Sequence, residues 1–341
     1  MNNSSYNMSC DFDLVVDCNL DSGAITCIKF CPKGEKIGIS TSVGQLFIFE
    51  TLASEPSMEF PPCEGPINQI AWKNSTTIFS VTESGSVWKY NIATVSTTKV
   101  FSNPSNAFLS IDASLVNNKY AVGSTAGDLF LLSSDETEDS KSVKAHSRAI
   151  SGISFRGDGE AFITGSHDSL IRIWNRDLLC TVSVSLIYPV TDVKFQPSGK
   201  IIYAGCSNGT FKMLNSSGGT KKIFSLDIPG TFVTSFAFMY YGGCTNIVIG
   251  ISGGLVLFFS PKMNTPHSFI QAHSEPLYAI DFHQNKMMVA TGGGPDEMNL
   301  KLWKYVKGDG QSFDDSLDQD QDQDQGDGDG DSITGDESSD V

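Results

Sequence analysis

Lys144–Asn175 reads KAHSRAISGISFRGDGEAFITGSHDSLIRIWN, and its interpretation decides the fold. The stretch brings His, Ser, Thr, Asp and Trp into one short run. Those residue types serve a Ser/His/Asp nucleophile, and they equally serve a buried structural clamp. The local pattern separates the two. Ala149–Phe155 alternates as a strand, and Arg156-Gly157-Asp158-Gly159 makes a turn whose glycine supplies a positive φ. Ala161–Thr164 and Leu170–Trp174 read as a second and third strand joined through Ser166–Ser169, and Leu179–Val184 as a fourth. The unit is therefore a small antiparallel sheet, with its innermost strand expected to be small or apolar on both faces.

The third strand of that sheet recurs along the chain. GQLFIFE (44–50), GSVWKYN (85–91), GDLFLLS (127–133), SLIRIWN (169–175), GTFKMLN (209–215), GLVLFFS (254–260) and MNLKLWK (298–304) share its pattern. The sixth residue of each is large and apolar: Phe49, Tyr90, Leu132, Trp174, Leu214, Phe259 and Trp303, spaced by 41, 42, 42, 40, 45 and 44 residues. A second series keeps step. Alternating strands end at Phe30, Trp72, Ala113, Phe155, Phe195, Phe238 and Phe282, each 18 to 21 residues before its partner in the first series. A period of about 40 residues with several strands per unit predicts a β-propeller. One four-stranded sheet cannot bury both faces, so seven must stack in a ring. The expected fold is all-β, a seven-bladed propeller over 11–307. No outer strand follows Trp303, whereas DFDLVVDCNL (11–20) has strand character and no blade of its own. It is predicted to complete the last blade and to remove the exposed sheet edges.

At Lys144–Asn175 the chain resembles the WD-repeat family of β-propellers. The resemblance rests on AH (145–146), RGDG (156–159), TGSHD (164–168) and IRIWN (171–175), with Asn175 where the family has Asp. The last unit repeats it through AH (272–273), ATGGG (290–294) and LKLW (300–303), and the other five units match weakly. The resemblance implies that His146, Thr164, Asp168 and Trp174 form a buried hydrogen-bond network, with a partial version at His273, Thr291 and Trp303. The chemistry agrees, because a buried Asp must be paired and an imidazole can donate at one nitrogen while accepting at the other. The slot of Asp168 is filled elsewhere by Val43, Ser84, Ala126, Asn208, Gly253 and Glu297, with Asp296 as the alternative to Glu297. Five blades are therefore expected to rely on packing alone. A catalytic set would need an exposed nucleophile beside an oxyanion site, and no nucleophile elbow of the GxSxG type is read in the sequence. The sequence thus predicts no catalytic residue, no cofactor and no enzyme.

In the family's geometry the loops joining blades and the turns between second and third strands share one face of the disc. Ser42, Glu83, Thr125, His167, Ser207, Ser252 and Asp296 precede the Asp slot there, and Arg148, Tyr188, Phe232, Glu275 and Tyr278 come from the blade-joining loops. Aromatic and Arg residues are common interface anchors. Arg148, His167, Tyr188, Phe232, Tyr278 and Glu83 are therefore the candidate partner-binding residues. His167 has no second His or Cys near it in sequence, so no metal site is expected. His267 and His283 read as loop residues, and Pro61-Pro62 and SSDETEDSKSVK (133–144) as exposed loops.

Composition bounds the rest. The 341 residues carry a formal net charge of −16, yet Gly308–Val341 holds twelve Asp and one Glu with no Lys or Arg, which leaves the globular part at about −3. That balance argues against direct nucleic-acid binding, which needs a basic excess. The tail is expected to be disordered, and 1–10 flexible. Its Asp spacing fails as a calcium loop, since Gln325 stands at the sixth position after Asp320 and no Glu at the twelfth. Eight scattered cysteines form no CxxC pair and are expected to be reduced core thiols, and no membrane span or secretory leader is read. A cytoplasmic or nuclear protein is expected, a monomeric propeller inside a larger complex.

Three functions fit this frame. The first is a non-catalytic scaffold for protein–protein interaction. The second is a substrate adaptor of a ubiquitin ligase, although such WD-repeat adaptors carry an Arg three residues after the Trp, where this chain has Asp177 and Val306. The third is a chaperone or binder of basic proteins through the acidic tail. A propeller enzyme would have only Asp112, Asp192 and Asp281 as acids on its innermost strands.

Overall fold

The computed structural model describes residues 12–135, 139–225, 231–241, 244–262 and 266–306, so the flexible segment expected at 1–10 and the acidic tail expected at 308–341 lie outside the described residues. The described chain is all-β and forms seven four-stranded antiparallel sheets. Strands are lettered a to d in each sheet, from the centre of the ring outward. Blade 1 comprises Ile25–Phe30, Lys36–Thr41, Leu46–Glu50 and Met58–Phe60, and blade 2 comprises Ile67–Asn74, Thr77–Thr82, Ser86–Asn91 and Ser96–Ser102. Blade 3 comprises Phe108–Ala113, Lys119–Ser124, Asp128–Ser133 and Lys141–Lys144, and blade 4 comprises Ile150–Phe155, Ala161–Ser166, Leu170–Asn175 and Cys180–Ser185. Blade 5 follows with Val190–Phe195, Ile201–Cys206, Thr210–Asn215 and Thr220–Ser225, and blade 6 with Val233–Tyr241, Cys244–Ile251, Leu255–Phe259 and Ser268–Gln271. Blade 7 takes strands a to c from Ala279–His283, Met288–Gly292 and Asn299–Tyr305.

Strand d of blade 7 comes from the other end of the chain. Phe12–Asn19 pairs antiparallel with Asn299–Tyr305, from Phe12 opposite Tyr305 to Asn19 opposite Asn299. Phe12 stacks on Phe258 of blade 6 at 4.3 Å between ring centres, and Val16 enters the core between blades 7 and 1. Asn299 donates to Asp17 Oδ1 at 2.6 Å. Closing the ring with the opposite terminus leaves every sheet with two protected faces.

The core is divided into seven apolar clusters, one at each contact between neighbouring blades. The third-strand ruler explains why. Phe49, Tyr90, Leu132, Trp174, Leu214 and Phe259 are all buried, and Trp303 is half-buried. Each large apolar side chain taken from water contributes about 1.5–3 kcal/mol, so the ruler is also the main stabilising series.

The innermost strands differ from expectation. They carry Lys29, Gln69, Ser110, Asp112, Asp192, Lys194 and Asp281. These polar groups tie one blade to the next. Asp112 accepts from the Phe155 N–H (2.7 Å), Asp281 from the Phe30 N–H (2.8 Å), and Asp192 from the Ser235 hydroxyl (3.0 Å). Gln69 accepts from the Ile111 N–H (2.6 Å) and Ser154 from the Phe195 N–H (3.1 Å). Inner strands splay toward the axis, where no neighbouring sheet caps their N–H groups, so side chains satisfy them.

Two smaller expectations are also corrected. His283 is a buried strand residue whose Nε2–H donates to the Gly34 carbonyl at 2.6 Å, bridging blades 7 and 1. Among the described cysteines Cys27, Cys31 and Cys206 are buried thiols, but Cys18 and Cys63 are half-buried and Cys180 is exposed on an outer strand. An outer strand has one side open to solvent, and sequence alternation alone does not say which.

Candidate functional site

One face of the disc collects the loops that join blades and the turns between strands b and c. A repeated main-chain bond fixes them together. Ser42, Glu83, Thr125, His167, Ser207 and Ser252 donate their N–H groups to the carbonyls of Ala24, Pro66, Ala107, Ala149, Pro189 and Phe232. In blade 7 Tyr278 donates to Gly292 instead. Each b–c turn is thereby latched to the loop that enters the same blade. The turn itself needs a positive φ, supplied by Gly127 in blade 3 and by Ser169 (φ 67°) in blade 4. At Gly127 a Cβ would stand 2.2 Å from the His146 carbonyl, so only glycine fits.

Blade 4 adds the side-chain clamp. His146 is buried, with Nδ1 3.0 and 3.1 Å from the two Asp168 oxygens and Nε2 2.7 Å from Thr164 Oγ1. Trp174 Nε1–H donates to the same Thr164 oxygen at 2.9 Å. The directions are forced by the chemistry: Trp174 donates to Thr164, Thr164 donates to His146 Nε2, and His146 Nδ1–H donates to Asp168. Asp168 also accepts from the Ser147 N–H and the Leu170 N–H, both at 3.0 Å. Burial pushes the His146 imidazole below its ordinary value against the pull of Asp168. Burial opposes the Asp168 charge too, but the Ser147 N–H, His146 and the Leu170 N–H outweigh it and hold the carboxyl below its ordinary value. The pair is a neutral imidazole against an ionised carboxylate. Every polar atom of the set is engaged within the blade, and Thr164 is fully buried, so no nucleophile is presented.

Blade 7 carries a second, partial clamp, in which Glu297 stands beside His273 without a hydrogen bond to its Nδ1. His273 Nε2 lies 3.0 Å from Thr291 Oγ1, and Trp303 Nε1–H donates to that oxygen at 3.1 Å. Glu297, and not the exposed Asp296, takes the acidic slot. Its Oε2 accepts from the Ser274 N–H (2.8 Å) and hydroxyl (3.0 Å), and its Oε1 stands 3.3 Å from His273 Nδ1 and 2.5 Å from Lys301 Nζ. Lys301, the Ser274 donors and His273 overcome the cost of burial and push the Glu297 carboxyl down to about 2. The blade 7 turn is longer than that of blade 4, which gives room for the extra methylene of Glu.

Four of the remaining five blades do not rely on packing alone. Ser42 Oγ accepts from the Ala24 N–H, Ser252 Oγ from the Phe232 N–H, and Ser84 Oγ donates to the Glu64 carbonyl at 2.6 Å. Thr125 Oγ1 donates to the Ala107 carbonyl in blade 3. Neutral hydroxyls replace the ionic clamp there. The letters GxSxG do occur, at 250–254, but Ser252 sits in a b–c turn between two strands and its oxygen is used by Phe232.

The WD40 family model, described as WD domain, G-beta repeat, matches residues 138–175, 184–215 and 264–304. The chain carries WD40 repeats at three positions of a seven-bladed β-propeller. The first and third matched stretches hold the two clamps of the propeller. The second covers blade 5, which sequence reading placed among the weak units. A comparison with curated proteins found no match.

Of the candidate partner-binding residues, Arg148, Glu83, Tyr188, Phe232 and Tyr278 are exposed on the loop face, with relative exposures of 42%, 42% and 48% for the three aromatics. His167 is half-buried, and burial together with the neighbouring Arg148 pushes its imidazole below the ordinary value. Sequence reasoning missed Ile187, exposed at 80% beside Tyr188. His167 and Tyr278 also line a central cavity of about 260 Å³ with Lys29, Asp192 and Lys194. A second cavity of about 280 Å³ shares Lys29 and reaches Asp112, Leu115 and Arg156. Burial disfavours the Lys29 ammonium, but Asp281, Asp192 and Asp112 outweigh it and hold the group above its ordinary value. Among the described residues no cluster of His, Cys, Asp and Glu has the makings of a metal site, and no helix is long and apolar enough to cross a membrane.

Proposed function

We propose that the propeller is a protein-interaction scaffold whose partner seat is the loop face. The observation that carries this reading is the combination found there: loops latched by main-chain hydrogen bonds that expose Ile187, Tyr188, Phe232 and Tyr278 to solvent. Large apolar side chains on a stiff support lose little entropy on binding, and a contiguous group of them marks an interaction site. Protein binding is the common use of this fold, and the fold by itself names no partner.

The reading is non-catalytic. The three channel acids, Asp112, Asp192 and Asp281, already accept hydrogen bonds from the neighbouring blade, which makes them structural. The protein is read as one propeller within a larger assembly, working in the cytoplasm or nucleus and binding proteins, not nucleic acid. Affinity purification of the Tyr188→Ala/Phe232→Ala variant against a Leu115→Ala/Val116→Ala control, placed at the a–b turn of the opposite face, tests it. The first pair is expected to lose the partners that wild type and the control retain. Loss only in the control would move the seat to the other face.

A further inference from the structure

The loop face is divided by chemistry. Its apolar side runs over blades 4 to 7 through Ile187, Tyr188, Phe232 and Tyr278. Its acidic side runs over blades 7, 1 and 2. Asp296 and Glu275 stand in the blade 7 turn and entry loop, Asp21 in the entry loop of blade 1, and Glu83 in the blade 2 turn. No ion pair is made by any of these four among the described residues. The cations of the face are few. Lys99 is paired with Glu64, Lys144 with Asp128, and Arg148 reaches only the His167 carbonyl, at 3.5 Å. Among the described residues of the blade-entry loops and b–c turns, four carboxylates thus stand without an ion pair, against one cation, Arg148.

We propose that the loop face takes a protein segment that places a Lys/Arg cluster beside large apolar side chains. The proposal rests on the loop-face reading above and adds the chemistry of the partner. The apolar anchors would cover Tyr188 and Phe232, and the cations would meet Asp296, Glu275, Asp21 and Glu83. Opposite charges set orientation and speed the encounter, while the apolar contacts hold the complex. Most of the net charge of −16 lies in 308–341, so a basic segment could also be drawn to the tail, and the loop face must supply the selectivity. A nucleic acid would be repelled by the same carboxylates.

The test uses the full chain and three fluorescein-labelled peptides of equal length and equal Leu/Phe content, made basic, neutral or acidic by Arg, Gln or Glu. Anisotropy is expected to rank them basic, neutral, acidic, with at least a tenfold span in Kd that shrinks as salt rises. Neutralising the four acids (Asp21→Asn, Glu83→Gln, Glu275→Gln, Asp296→Asn) is expected to remove most of the span. Tyr188→Ala/Phe232→Ala is expected to weaken all three peptides. Equal affinity for the three, with sensitivity to Tyr188→Ala/Phe232→Ala retained, overturns the partner chemistry and leaves the loop face as the seat. Binding that ignores both sets of loop-face changes and vanishes when the Asp residues of 308–341 become Asn overturns both readings and assigns binding to the tail.

Discussion

Blades 4 and 7 solve one problem with different acids. Each must hold the loop that enters the blade against the turn between strands b and c. Blade 4 uses Asp168 on a short turn, where the side chain is almost fully enclosed and accepts two main-chain N–H groups besides His146. Blade 7 uses Glu297 on a longer turn, more open to solvent and supported by Lys301. The first arrangement spends its carboxylate entirely on the clamp. The second shares its carboxylate between clamp and lysine, so losing the acid leaves less buried polarity unmatched. Blade 4 should therefore be the more brittle of the two, although their His, Thr and Trp are equivalent.

The largest effect that would sharpen this contrast is Asp168→Ala, which strands the Ser147 and Leu170 N–H groups and His146 Nδ1. Removing one partner of a buried charged network costs about 3–5 kcal/mol, and denaturant unfolding should read a loss of that size. Glu297→Ala should cost clearly less, about 1–3 kcal/mol. Equal losses would break the comparison. Next in size is Gly127→Ala, which forces a Cβ onto the His146 carbonyl at a left-handed position. A loss of about 1–3 kcal/mol is expected, without change in the blade 7 loop.

Acidification tests both clamps together. Folding holds His146 and His273 below their ordinary value of 6.5, so the unfolded chain binds more protons between that value and the folded one. Stability then falls as pH drops through 6.5 and below, and the Glu297 contribution follows as pH falls from 4.5 toward 2. Thermal melts from pH 7.5 to 5 should show a falling Tm, and His146→Gln should flatten the curve. A Tm that rises over that range would contradict the assignment of neutral imidazoles. The smallest effect concerns Cys180. Alkylation of the native protein should be fast there and slow at buried Cys206, with almost no change in Tm.

The seven blades were legible because their signal is local and periodic. Each Phe, Tyr, Leu or Trp of the third-strand ruler needs only its own strand pattern to be recognised. The clamp of blade 4 was legible for the same reason, since His146, Thr164, Asp168 and Trp174 lie within one unit. The staples on the inner strands were not. Asp112 bonds Phe155 and Asp281 bonds Phe30, one blade away along the ring, so nothing beside them in sequence names their partner. The choice of Glu297 over Asp296 also needed coordinates, because it depends on how a longer turn bends. Likewise His283 reads as a loop histidine until Gly34 of blade 1 is seen against it.

The central claim is that the carboxylate clamps stiffen the loops entering blades 4 and 7, from which Arg148 and Tyr278 project. Hydrogen–deuterium exchange across the blade-joining loops tests it most directly, through the amides of Ser147 and Ser274, which donate to Asp168 and Glu297. Both are expected to exchange slowly in the native protein, and Asp168→Asn should release Ser147 while leaving Ser274 protected. If Ser147 exchanges as fast as an unbonded loop amide in the unaltered protein, the clamps are not what holds those loops.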